Sequence, residues 1–293
     1  MLKHVTFSPS DSAKNRAIQL ATFFKAMALN LNTAKNLITS NTVMFFRIIL
    51  FLVFLGHGLV SLGYSPGYQL HFNIFKAVNF INYDVATFLK YQGSFDIILA
   101  FLILFGVFPR YIFSTALVYL ACVAVAAYSF YHFKTGSLFG IAEVFRRFAW
   151  IFYAVFLWIF YVRKEKRFAL LRIGIGFAFL AHGLASMGFF GLKGGHIELA
   201  KQVLSEDMAN KIVYYSGFSD TLLGFLIVTG LLSRPASIIG SFWLVFVVYL
   251  SYLLAYPDFI FRMGFLLSCI YVAIDSRCHS FIWQKGIIEK AAT

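Results

Sequence analysis

The stretch FFRIILFLVFLGHGLVSLG, residues 45–63, decides how the whole chain is read. One arginine, one histidine and one serine interrupt a run that is otherwise apolar or glycine. As a helix rising about 1.5 Å per residue, the run is long enough to cross a hydrocarbon core roughly 30 Å thick. It lacks the period-two alternation of a barrel strand, so a membrane-spanning helix is the reading that fits. A second stretch, LLRIGIGFAFLAHGLASMG at residues 170–188, repeats the pattern, histidine included.

Working outward, segments of this kind recur along the chain, at about 43–63, 88–108, 111–133, 147–162, 168–191, 213–232, 236–256 and 259–275. The composition agrees: 60% hydrophobic, 19% aromatic and only 13% charged residues cannot be divided between a soluble core and a wetted surface. The fold class expected is all-α, a polytopic membrane protein with eight transmembrane helices.

The net charge of +13 excludes less than it suggests. The basic residues lie in short segments flanking the spans, which is the distribution of a topology signal rather than of a nucleic-acid surface. Residues 1–40 carry Lys3, Lys14, Arg16, Lys25 and Lys35 against Asp11, and the mid-chain connection 163–167 reads RKEKR. Both therefore belong on the cytoplasmic side, which requires an even number of spans between them. The sequence divides into a cytoplasmic tail (1–40), a first four-helix unit (41–162), a second (163–278) and a second tail (279–293). Residues 15–38 fit an interfacial amphipathic helix or a plain solvated tail. The first span acts as its own insertion signal.

The two units align. Arg47, His57, Gly58, Leu59, Ser61 and Gly63 match Arg172, His182, Gly183, Leu184, Ser186 and Gly188 at an offset of 125. Gly93, Asp96, Gly106 and Arg110 match Gly217, Asp220, Gly230 and Arg234 at 124, and Glu143 and Arg147 match Asp258 and Arg262 at 115. Four spans per unit leave both units entering the membrane the same way round, as parallel repeats about an axis along the membrane normal. Ten residues place His57 about 15 Å from Arg47, and fourteen place Asp96 about 21 Å from Arg110. His57, Ser61, Asp96, Glu143 and Arg147 are thus candidates to converge in the outer half of the membrane. His182, Ser186, Asp220, Asp258 and Arg262 form the second set.

Such groups in a bilayer need partners or a water-filled cavity, since each central charge costs at least ~2.5 kcal/mol. The histidines admit three roles: a hydrogen bond across helices beside Gly58 and Gly183, ligand, quinone or proton handling, and ligation of a haem or metal. Internal salt bridges of Asp96 with Arg147, and of Asp220 with Arg262, are the structural alternative to chemistry. Arg110 and Arg234 read as anchors. Cys122, Cys269 and Cys278 form no C-x-x-C and read as structural. The connections near 64–90 and 189–213 suit short interfacial helices. The longer connection before Glu143, with His132 and Lys134, suits a lid or docking surface and favours the first unit as the working site.

The two motifs, R-x9-H-G in the first helix and G-x2-acid-x9-G-x3-R in the second, resemble those of the DoxX family. The family's usual glutamate is aspartate here, at Asp96 and Asp220. Members are commonly a single four-helix unit, so this chain resembles a tandem fusion. The resemblance implies a multi-pass protein of a bacterial-type inner membrane, and a subunit of a quinone-linked redox system, in which it would be an oxidoreductase's membrane subunit with quinone as the implied cofactor. The other readings are a lipid or small-hydrophobic-solute binding or transport protein, and a non-catalytic scaffold in a larger membrane complex. The partners implied are the bilayer and other subunits, not nucleic acid.

Overall fold

A computed structural model describes residues 33, 35–65, 67–77, 83–134, 138–190, 196–201, 204–254, 257–279 and 288–290. Contacts group the chain into residues 1–42 and 43–293. Most of the segment 15–38 lies outside the described residues, as does most of the tail 279–293.

The described chain is all-α apart from two three-residue strands. The helices are α1 (Thr42–Ser61), α2 (Tyr68–Ala77), α3 (Val85–Phe105), α4 (Pro109–Ser129), α5 (Phe139–Arg163), α6 (Phe168–Ser186), α7 (His196–Lys201), α8 (Glu206–Thr229), α9 (Ser233–Leu254) and α10 (Phe259–Ile274). Seven of them, all but α2, α7 and α10, are long and apolar enough to cross a membrane. The eighth expected span, α10, has sixteen residues and falls short of that length. The protein is membrane-embedded, with its outer helices in contact with lipid.

Local chemistry sets the helix ends. Asp84 caps α3, its carboxylate accepting from the amides of Ala86 and Thr87. Gly106 ends α3 in the left-handed conformation, at φ 66°, and Pro109 then occupies the first turn of α4, where a missing N–H costs nothing. Gly230 ends α8 in the same way, at φ 83°. Ser205 precedes α8, with Glu206 and Asp207 in the first turn, where the helix dipole favours negative charge.

Several boundaries differ from the sequence reading. α5 begins at Phe139 and α8 at Glu206, each about two turns before the apolar run would place it. The reason for α5 is that Glu143, Arg146 and Arg147 bond one another along the helix and do not need to end it. Residues 130–134, at the end of the expected span 111–133 and the start of its connection, continue α4 as a π-helical turn. Tyr131 there packs edge-on against Phe139 and joins a small core with Ala142, Ala185 and Phe190. Tyr131 is thus buried, while His132 beside it stays exposed and stacks on Tyr128.

The interior is built from α1, α5, α6 and α10. Phe46 of α1 sits 5.0 Å from the rings of both Tyr153 on α5 and Tyr271 on α10. Trp150 of α5 meets Phe265 of α10 at 3.9 Å between centroids. The faces of α3, α4, α8 and α9 that carry Ile98, Val118, Phe218 and Phe242 are exposed and apolar, as lipid contact requires. Beyond the membrane-crossing part, β1 (Glu165–Arg167) pairs antiparallel with β2 (Ile288–Lys290), setting Lys166 opposite Glu289.

Candidate functional site

Two helix crossings position the polar residues. α1 meets α3 where Gly58 faces Gly93: a Cβ added to either would stand 2.8 Å from the other's carbonyl oxygen. α6 meets α8 at Gly183 and Gly217 in the same way, and again one heptad along, at Gly176 and Gly224. Backbones this close bring short side chains on either side of the contact into hydrogen-bond range. His57 Nδ1 lies 3.1 Å from Asp96 Oδ2, and His182 Nδ1 lies 2.9 Å from Asp220 Oδ2. The two aspartates are sealed from solvent and lipid, and the histidines are alike in exposure, 26% and 29%.

The structure pairs each aspartate with histidine rather than with arginine. Arg147 is instead held by Glu143 one turn earlier, at 2.6 Å, with Arg146 bound to the same carboxylate. Neither expected salt bridge, Asp96–Arg147 or Asp220–Arg262, is formed. Asp258 accepts from Ser65 in the α1–α2 turn, and the Arg262 side chain makes no hydrogen bond among the described residues. The set predicted for the second unit is therefore brought together only in part, as His182 with Asp220, while Ser186 is buried nearby on α6.

Around the first pair the site is richer than the sequence reading allowed. α2 carries His71, whose ring lies 4.6 Å from that of His57, tilted by 40°, and whose Nδ1 lies 3.1 Å from Ser61 Oγ. Gln92, one turn before Asp96 on α3, donates to the hydroxyl of Tyr119 on α4 at 2.9 Å. Tyr119 lies within reach of the charges of Asp96 and Arg147. Two buried acceptors on this face of α3, Asp96 Oδ1 and Gln92 Oε1, have no hydrogen-bond partner among the described residues, although the Tyr119 hydroxyl stands close to the Asp96 carboxylate. His71, Gln92 and Tyr119 were missed because none lies in the repeated motifs as first aligned. One signal was available: His196, which opens α7, stands at the same offset of 125 from His71.

Among the described residues no cluster of three or more His, Cys, Asp or Glu side chains is spaced to hold a metal. The cysteines are free, with Cys269 and Cys278 buried and Cys122 exposed. With Nδ1 of His57 facing a carboxylate, the proton belongs on that nitrogen, and neutral Nε2 presents a lone pair. Asp96 would stabilise the imidazolium formed if Nε2 took a proton.

His71 is held well below the usual histidine pKa, first by burial and then by the neighbouring His57 and Arg147. It stays neutral while the unfolded chain's histidine protonates near 6.5, so the unfolded state binds more protons in acid and stability falls as pH drops below that value. The slope from this one group is at most about 1.4 kcal/mol per pH unit. In detergent, the unfolding midpoint of His71→Gln is expected to fall less steeply than the wild type's between neutral and mildly acidic pH. Parallel curves would refute a buried neutral His71.

Compared with family models, curated proteins and solved structures, the chain gives no match to any of the three.

Proposed function

We propose that the chain is the membrane subunit of a quinone-linked redox system of DoxX type, with the His57–Asp96 pair as its proton-handling centre. The observation that carries this reading is the Asp-oriented histidine inside an apolar bundle. Its Nε2 makes no hydrogen bond among the described residues, and Asp96 and Gln92, one turn apart on α3, each keep a buried oxygen without a bond there. A hydroxyl brought to that nitrogen can pass its proton to the imidazole, and the imidazolium can return one to a carbonyl oxygen. Those are the proton steps that accompany quinol oxidation and quinone reduction.

The tandem four-helix architecture is part of the same proposal. It is supported by matched contacts: His57–Asp96 with His182–Asp220, Gly58–Gly93 with Gly183–Gly217, and the left-handed residues Phe108 and Leu232 at the foot of each third helix. An eighth crossing is supported by the β1–β2 pairing. The mid-chain strand and the C-terminal strand share one side of the membrane, and α6, α8 and α9 alone would leave them on opposite sides. The basic content of residues 1–40 and 163–167 then argues for cytoplasmic termini and an inner-membrane location. We further propose that other subunits complete the redox chain, and that the first unit is the working one, because α2 adds His71 to it.

The test is extraction and mass spectrometry of what the detergent-purified protein retains. Quinone bound to wild type, and lost in His57→Ala with the fold intact, is the expected result. If no quinone is retained and the His57→Ala, His182→Ala double variant leaves cellular quinone reduction unchanged, the reading fails and the pairs are helix locks.

A further inference from the structure

A second polar cluster lies between α5 and α10, outside the His57–Asp96 centre. Arg147 and Arg262 occupy matched positions, each three residues before the rings of Trp150 and Phe265 that meet at 3.9 Å. Three residues are less than one turn, about 4.5 Å of rise, so both guanidinium groups start from the same level on facing helices. α10 is pressed against α1 at that level, since a Cβ on Gly56 would stand 2.9 Å from the backbone nitrogen of Phe261. Arg146 completes the group and lies within reach of the charges of Arg147 and Arg262.

The charges there do not balance. Glu143 is shared by Arg146 and Arg147, and Asp258 is the carboxylate whose charge reaches Arg262. Three cations face two anions. Arg262 makes no hydrogen bond with its side chain among the described residues, its Nε is buried without a partner, and its guanidinium rests over the Phe261 ring at 5.6 Å. Arg146 rests likewise over Phe139 at 5.4 Å. An uncompensated arginine in a bilayer is costly, and a desolvated guanidinium fork binds oxyanions in preference to other partners.

The depth also fits. α10 rises only about 24 Å, short of a hydrocarbon core of roughly 30 Å, and Arg262 stands in its first turn. We propose that Arg146, Arg147 and Arg262 form a site for a monoanionic phosphate-class group, entering from the side of the membrane on which α5 and α10 begin. A lipid phosphodiester and free phosphate present the same oxygens to the site. It does not rest on the quinone reading, since none of the three arginines bonds His57 or Asp96, although Arg147 lies within electrostatic reach of His71.

The test uses the full chain in mild detergent. Phospholipid retained through purification is measured by mass spectrometry, and thermal unfolding is followed with inorganic phosphate or with added phosphatidylglycerol against phosphatidylcholine. Retained anionic phospholipid, or a higher midpoint with phosphatidylglycerol alone, supports the site with a lipid source. A rise with inorganic phosphate supports it with a free one. Arg262→Gln is expected to weaken either effect about tenfold or more, and Arg262→Lys, which keeps the charge and guards against misfolding, less so. Equal responses to phosphatidylglycerol and phosphatidylcholine with no response to phosphate overturn the proposal. So does an Arg262→Gln protein that folds and binds as wild type.

Discussion

Gly183→Leu is expected to destabilise the protein by about 3 kcal/mol or more and to break the His182–Asp220 bond between α6 and α8. The added Cβ alone would press on the backbone of Gly217 and Thr221 and on the Thr221 hydroxyl, none of which is the movable end of a long side chain. Relief requires α6 and α8 to separate, and the crossing is pinned a second time at Gly176 and Gly224. The 2.9 Å hydrogen bond next to the crossing would lengthen with it, exposing an ionisable pair to an apolar surrounding. Gly58→Leu should act the same way on α1, α3 and the His57–Asp96 pair, with its Cβ 2.8 Å from the Gly93 oxygen. The lipid-facing Leu222→Ala serves as control and is expected to lie within about 0.5 kcal/mol of wild type. Unfolding midpoints in detergent decide the matter. A Gly183→Leu protein as stable as the control would mean that the helices do not cross where the glycines stand.

These glycines also mark how far the sequence could be read. A histidine beside a glycine in an apolar run admitted, among three roles, a hydrogen bond at a close helix approach, and the length and continuous apolarity of the runs implied the helices. Partner choice was another matter. An arginine four residues after Glu143 satisfies that acid within its own helix, whereas reaching Asp96 would require the long side chain to cross to another helix. Local geometry won, and the aspartates were left to the histidines across the glycine contact. His71 was hidden for a related reason: α2 is a short amphipathic helix between spans, and neither hydropathy nor the repeated motif reports that it folds back over Ser61 and His57. The helix ends were misplaced wherever charged residues enter a helix already satisfied, as at the start of α5. Hydropathy sees the charge and not the bond that neutralises it.

The matched arginines at the other end of the first helices lead to opposite expectations for one substitution. Arg47 Nε donates to the carbonyl of Ile103 at 2.8 Å and its terminal nitrogen bonds that of Leu104, so the guanidinium closes the C-terminus of α3. Gly106 makes this contact sterically possible, since a Cβ there would stand 2.6 Å from the guanidinium. Arg172 is fully buried, and none of its three side-chain nitrogens has a hydrogen bond among the described residues. Nearby Cys278 offers it no anion, because burial first, and then the charge of Asp275, raises that thiol well above its usual range. Asp275 itself is engaged by Arg277 and Tyr271. Arg47→Met should therefore cost about 1–3 kcal/mol through the lost charge-assisted bonds and the reopened helix end. Arg172→Met, of similar reach and apolar, should stabilise the fold by about 1–4 kcal/mol by removing a buried unpaired cation. In a Cys122→Ala background, which removes the one exposed thiol among the described residues, a thiol-reactive dye reports both, because Cys269 and Cys278 are buried and become labelled only on unfolding. If Arg172→Met instead lowers the midpoint, the guanidinium has a counter-ion in the folded protein, and Arg47 and Arg172 differ in what they hold, not in whether they hold anything.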